Sequence, residues 1–181
     1  VLPKCDEPQD LRDLDVLLRE AEMANGVRPG DIATIPIIES ARAVLRCEAI
    51  ALASDRVVAL SVGGEDYTRH IGARRDATGA ALQHIRSVVV TVAAAYGLLA
   101  IDTPYAGYRD AAGLMKDAKI ARALGMKGKY VIHPGQIAAV NKAFTPTATE
   151  LAEARRIVAA FDRAADAAEG TTSLNGRMID A

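Results

Sequence analysis

Five short apolar runs punctuate this 181-residue chain, and each is followed by a longer stretch with helical spacing. The runs are "VLP" (1–3), "IATIPII" (32–38), "VVALSV" (57–62), "LLAID" (98–102) and "KYVI" (129–132). Continuous apolar strands of this kind belong in a parallel sheet covered on both faces. The stretches between them read as helices: one over 10–26 with Leu11, Leu14, Leu17, Leu18 and Ala21 on a stripe, one over 40–54 with Ser40 as N-cap, a short one starting at Asp66, a long one over 80–97, and one over 110–125. Helices over 135–144 and 148–170 follow the last strand, and an extended tail with an Asn175-Gly176 turn closes the chain. Two architectures satisfy the alternation, a doubly wound sheet or part of an eight-fold β/α barrel. The first strand is not followed by G-x-G-x-x-G, which weighs against a dinucleotide-binding half. A whole barrel takes about 250 residues, so the chain falls short of one by roughly three β-α units. It opens almost directly on a strand end. The expectation is therefore an N-terminally incomplete view of a longer protein, with about five β-α units in view and both architectures open.

Composition narrows the function classes. There are 22 basic and 23 acidic residues, for a net charge of −1, with no basic block. Nucleic acid and anionic membrane surfaces are poor partners for such a chain. No apolar run approaches the roughly 18 residues of a membrane span, and the N-terminus lacks the pattern of a secretory signal. Cys5 and Cys47 lie far apart without metal spacing and read as reduced, buried thiols of a cytoplasmic protein. His70, His84 and His133 form no zinc motif.

The chemistry gathers at the ends of the apolar runs. Lys4 comes after the first, Glu39 after the second, Glu65 and Asp66 after the third; Asp102 ends the fourth, and His133 comes after the fifth. In α/β folds the carboxyl ends of the strands face the site. Taken singly, each residue has a plainer reading. Glu39, Glu65 and Asp66 suit helix first turns. Lys4 suits a solvated flank, Asp102 a turn before Pro104, and His133 a structural role. Taken together, Glu39 and Asp66 need a cation or a proton between them, because adjacent parallel strands bring their ends within about 5 Å. Magnesium takes one or two protein carboxylates and completes its octahedron with water and substrate oxygens. Gly63 and Gly64 allow close backbone approach, and the helix start beyond them offers N–H groups to an anion. A substrate that is both carboxylate and chelator, such as a 2-oxo acid, suits this combination.

The segments "IPIIESARAVLRCEAIALAS", "VGGEDYTRHIG", "LLAIDTPYAGYRDAAGL", "KYVIHPGQIAAVNKAF" and "LNGRMIDA" resemble the citrate lyase beta-subunit family of the HpcH/HpaI aldolase superfamily, which includes malyl-CoA and citramalyl-CoA lyases. The resemblance runs over nearly the whole chain. It implies a TIM-type β/α barrel over 1–169, seen as about five C-terminal β-α units with the N-terminal units absent, and, at 170–181, the start of a C-terminal extension reaching a neighbouring subunit of a homo-oligomer, a trimer or a multiple of one. It implies Mg2+ on Glu39 and Asp66, a 2-oxo acid carboxylate on the backbone around Gly64, Glu65 and Asp66, and Asp180 as an acid/base delivered to a neighbour's site. Lys4 is assigned to the substrate and His133 to the cofactor region. The family carries further N-terminal units with a substrate-contacting arginine and basic residues near CoA, and it continues past "MIDA" into a helix. Many members have Ala at position 64 and Gly at position 103, where this chain has Gly64 and Thr103.

The implied reaction is magnesium-dependent cleavage of a citryl-, citramalyl- or malyl-CoA-type 3-hydroxyacyl-CoA to acetyl-CoA and a 2-oxo acid. Two rivals stand beside it. One is a metal-dependent aldolase on free 2-oxo acids, which needs the same carboxylates but not Asp180. The other is a non-catalytic member of the family.

Overall fold

A computed structural model describes residues 1–76, 78–166, 172–174 and 177–179. The chain forms two compact units, Val1–Phe144 and Thr145–Ala181. The first holds a four-stranded parallel sheet of β1 (Ile37–Ile38), β2 (Ala59–Val62), β3 (Leu99–Asp102) and β4 (Gly128–Lys129), ordered β1-β2-β3-β4. A doubly wound sheet reverses its strand order at a switch point. Here the spatial order equals the chain order and every pairing is parallel, which is the wall of a β/α barrel. The first apolar run adds an edge: Leu2 makes a parallel bridge to Pro36, with its N–H on the Ile35 carbonyl and its carbonyl accepting from Ile37.

The helices match the sequence pattern closely. They are α1 (Pro8–Ala24), α2 (Ala41–Leu45), α3 (Cys47–Ala51), α4 (Gly64–His70), α5 (Ala80–Ala95), α6 (Ala111–Ala123) and α7 (Ile137–Phe144), the last preceded by a 3-10 turn at Pro134–Gln136. Ser40 caps α2 as expected, its hydroxyl accepting from Ala43 N–H at 3.0 Å, and Asp110 caps α6 through Gly113 N–H. The helix expected over 40–54 divides at Arg46, whose guanidinium reaches Glu7 at 3.0 Å. The short helix begins at Gly64, two residues before the expected Asp66.

The fifth run differs most. The strand occupies 128–129, not 129–132. Tyr130 N–H takes the carbonyl of Asp102, the last residue of β3, so no partner strand remains beyond it. Ile132 N–H turns instead to the Gln136 side chain at 2.9 Å.

The core lies between sheet and helices. Ile38, Leu60 and Val62 of the sheet pack with Val44, Cys47 and Ile50 and with Leu82, Ile85 and Val89 of α5. The second unit holds α8 (Ala148–Asp166) and an antiparallel pair, β5 (Thr172–Leu174) and β6 (Arg177–Ile179). The Asn175-Gly176 turn and the boundary expected at 169/170 fall outside the described residues. No helix among the described residues is long and apolar enough to cross a membrane.

Candidate active site

Strand register assembles the site. Leu2 lies beside Pro36, and Ile38 pairs with Val62. The residues just past these pairs are therefore neighbours along one sheet edge: Lys4, Glu39, the Gly63-Gly64 pair and, beyond β3, Thr103. Lys4 N–H donates to Glu39 Oε1 at 2.7 Å. Its ammonium reaches across to Asp66 Oδ2 at 2.5 Å and stands 3.5 Å from Glu39 Oε1. Glu39 and Asp66 thus share one cation. The three residues line a cleft of about 340 Å³ with Asp6, Ser40, Arg69 and His70.

The electrostatics arise from these contacts. The Lys4 hydrogen bond, helped by the Arg69 charge, holds the Asp66 carboxyl below its ordinary range, and the same bond raises the Lys4 ammonium. Glu39 is buried, whereas Lys4 is exposed. Among the described residues no cluster of three or more His, Cys, Asp or Glu side chains forms a metal cage. The donor set is a carboxylate pair with a positive charge seated between its members. That set fits a hard divalent cation that keeps most of its coordination for water and substrate.

The glycine pair is tightly packed. A Cβ on Gly63 would overlap the Glu39 side chain and come within 2.9 Å of Ile37. A Cβ on Gly64 would lie 3.0 Å from Thr103, whose hydroxyl accepts Gly64 N–H at 3.0 Å. Both glycines therefore make room for neighbouring side chains. The first helical bond of α4 runs from Tyr67 N–H to the Gly63 carbonyl, so the N–H groups of Glu65 and Asp66 lie ahead of the helical ladder.

Glu65 parts company with Asp66. It pairs with Arg75 and lines a second cleft of about 310 Å³ with Tyr105, Asp110 and Lys116. His133 lies apart from both linings. Its Nδ1 accepts Gly135 N–H at 3.0 Å to cap the 3-10 turn, and its ring packs on Tyr108. Asp180 lies outside the described residues. The strand-end residue Asp102 is fully buried. Arg86 binds both its oxygens, at 2.8 and 2.9 Å, and Lys129 donates to it at 2.6 Å. Asp117 completes the cluster, with Arg86 and Lys129 at 2.8 and 2.6 Å. Burial would raise the Asp117 carboxyl, but Lys129 and Arg86 outweigh it and hold it low.

Sequence reasoning missed this buried cluster, although a signal existed. Arg86 is four residues after Leu82 and three before Val89, both on the buried stripe of α5. A charge there needs a buried partner, and Asp102 ends the adjacent strand. Arg69, one turn after Asp66 on α4, was missed as well.

The sequential parallel wall and the paired carboxylates at its carboxyl edge define a recognised class. The family profile described as HpcH/HpaI aldolase/citrate lyase matches residues 1–134, and the chain belongs to that family. It is 36% identical over 179 residues to the citrate lyase subunit beta of Escherichia coli, covering 99% of this chain and 59% of the relative. It is 32% identical to the L-malyl-CoA/beta-methylmalyl-CoA lyase of Cereibacter sphaeroides, covering 99% and 62%. Among solved structures, CitE from Mycobacterium tuberculosis, in complex with magnesium, acetoacetate and coenzyme A, superposes with a TM-score of 0.69 at 34% identity, covering 82% of this chain and 56% of that one. The chain spans about three-fifths of the length of these curated relatives.

Proposed function

We propose that the protein is a magnesium-dependent carbon–carbon lyase that cleaves a citryl-, citramalyl- or malyl-CoA-type 3-hydroxyacyl-CoA to acetyl-CoA and a 2-oxo acid. One observation carries the reading: Glu39 and Asp66, from successive strand ends, share a single cation in one cleft. Family membership supports it, as do relatives named as citrate and malyl-CoA lyases. In this reading Glu39 and Asp66 hold Mg2+, which supplies Lewis acidity at the substrate's hydroxyl and carboxylate oxygens. The hydroxyl gives its proton to water, the bond to the acetyl carbon breaks, and its electron pair passes into the acetyl-CoA enolate. The new carbonyl belongs to the 2-oxo acid. The enolate carbon then takes a proton, a step assigned to Asp180 of a neighbouring copy in a trimer or a multiple of one.

The substrate carboxylate sits against the N–H groups of Glu65 and Asp66 and the Lys4 ammonium. Gly64 N–H joins them by leaving the Thr103 hydroxyl. Glu65 contributes its backbone here, since its carboxylate is committed to Arg75. His133 is kept for the cofactor region, and the protein is assigned to the cytoplasm. An aldolase acting on free 2-oxo acids is the second reading, favoured by the family's own description, which joins aldolases to citrate lyase.

The test is turnover of citryl-, citramalyl- and malyl-CoA by the full-length protein, with and without EDTA. Activity on one ester, abolished by EDTA and reduced at least a hundredfold in Glu39→Gln and Asp66→Asn, is expected. Metal-independent turnover, or full activity in either variant, refutes the metal assignment. Asp180→Asn separates the two readings: it abolishes CoA-ester cleavage but spares an aldolase working on free acids.

A further inference from the structure

Lys4 is the only non-glycine residue with positive φ among the described residues, at 55°. That conformation is uncommon for a long side chain, and such strain gathers at functional sites. Here it lets one residue engage both carboxylates. The Lys4 N–H holds Glu39 Oε1 at 2.7 Å, while the ammonium turns onto Asp66 Oδ2 at 2.5 Å. The ammonium therefore occupies the space between the two carboxylates.

Two further observations bear on how firmly it sits there. The Lys4 side chain is 65% exposed, and that of Arg69, which pairs with the other Asp66 oxygen, is 78% exposed. Either cation can withdraw into water at little cost in desolvation. Glu39, by contrast, exposes only 8% of its side chain and is pinned by the Lys4 backbone and by Gly63. Glu39 is the fixed member of the site, Asp66 is held on the first turn of α4, and the ammonium is the movable part. A divalent ion bonded to both carboxylates needs the space the ammonium fills, and two cations that close repel each other.

We propose that Lys4 is an exchangeable internal counter-ion: its ammonium keeps Glu39 and Asp66 preassembled, gives up its place to the divalent cation, and moves to the carboxylate of the incoming substrate. The inference rests on Glu39 and Asp66 as metal ligands. It adds that metal binding and substrate binding are coupled through this side chain as well as through the substrate's own contact with the metal. Metal alone binds weakly because it must evict a cation. A bound 2-oxo acid gives that cation a new partner and so tightens the metal.

Calorimetric titration of the full-length protein with Mg2+, first alone and then with pyruvate present, tests this without any turnover. The variants are Lys4→Met and Lys4→Asn; Asn tolerates the left-handed backbone, so a native-like fold is retained in at least one. Without pyruvate, both are expected to bind Mg2+ about tenfold more tightly than wild type. Pyruvate should tighten Mg2+ in wild type and in the variants through its own oxygens on the ion, but by a clearly smaller factor in the variants. Unchanged or weaker Mg2+ binding in a folded variant overturns the proposal, as does pyruvate coupling of the same size in the variants as in wild type. Absence of Mg2+ binding in wild type would overturn the metal reading itself, a result distinct from failure of the exchange.

Discussion

Glu65 and Asp66 are chain neighbours with opposite roles. One turns to Arg75 and the second cleft, the other to Lys4 and Glu39. Only two strand ends taken together separate them, because either carboxylate alone suits a helix first turn. The same logic applies away from the site. Glu22 is fully buried on α1, where Arg56 grips both its oxygens at 2.6 and 2.7 Å and the N–H groups of Gly30 and Ile32 each donate at 2.8 Å. The Arg56 bonds, opposed by burial and aided by those backbone donors, lower its pKa from 4.5 to about 2. A carboxyl whose folded pKa is depressed stabilises the fold above its unfolded pKa and loses that contribution as pH falls through the folded value. Denaturant melts at pH 6 and pH 3 should therefore show wild type losing stability on acidification. Glu22→Gln should be weaker at pH 6 and lose less between the two. An equal pH dependence in both proteins would contradict this reading. Nothing in the local sequence marks Glu22 as buried, since its partner Arg56 is 34 residues away.

At the scale of elements, register does the positioning. The order of strands and helices was legible because apolar runs of three to seven residues alternate with amphipathic stretches long enough to be helices. Strand ends were less so. Tyr130 to Ile132 are as apolar as a strand, yet β3 stops at Asp102 and leaves them no partner. The glycines were legible as a close approach, but not what approaches. Gly63 faces Glu39 across the β1–β2 register, so Gly63→Ala should push the Glu39 carboxylate aside. It should destabilise the fold by about 1–3 kcal/mol and weaken Mg2+ binding along with it. A melt and a titration on the same sample check both effects, and a variant with native stability and affinity would remove the packing argument. The buried charges make a second case. Asp102 and Asp117 share Arg86 and Lys129, tying β3 to α5, α6 and β4. Replacing Arg86 with Met leaves the buried Asp102 and the partly buried Asp117 facing one ammonium. The expected cost is about 3 kcal/mol or more, read as a lowered denaturation midpoint. Loss of less than about 1 kcal/mol would mean that the cluster is solvated.

At the scale of the molecule, the wall β1-β2-β3-β4 is the part of a β/α barrel that presents its carboxyl edge to the cleft, and residues 1–134 carry the family match. Strand order separates this from a doubly wound sheet, and order is a property of pairing that an unaligned sequence does not display. The catalytic proposal reaches further, to Asp180 acting across a subunit boundary, and the Asp180→Asn comparison tests it there. The central claim is more compact: the two strand-end carboxylates are the cation site. A crystal of the full-length protein grown with Mn2+ and pyruvate, measured at the manganese edge, addresses it directly. One anomalous peak is expected, bonded to an oxygen of Glu39 and an oxygen of Asp66, with the Lys4 ammonium withdrawn from between them. A peak held by other residues would contradict it, and an ammonium still seated between the carboxylates in the presence of the ion would contradict the exchange of Lys4.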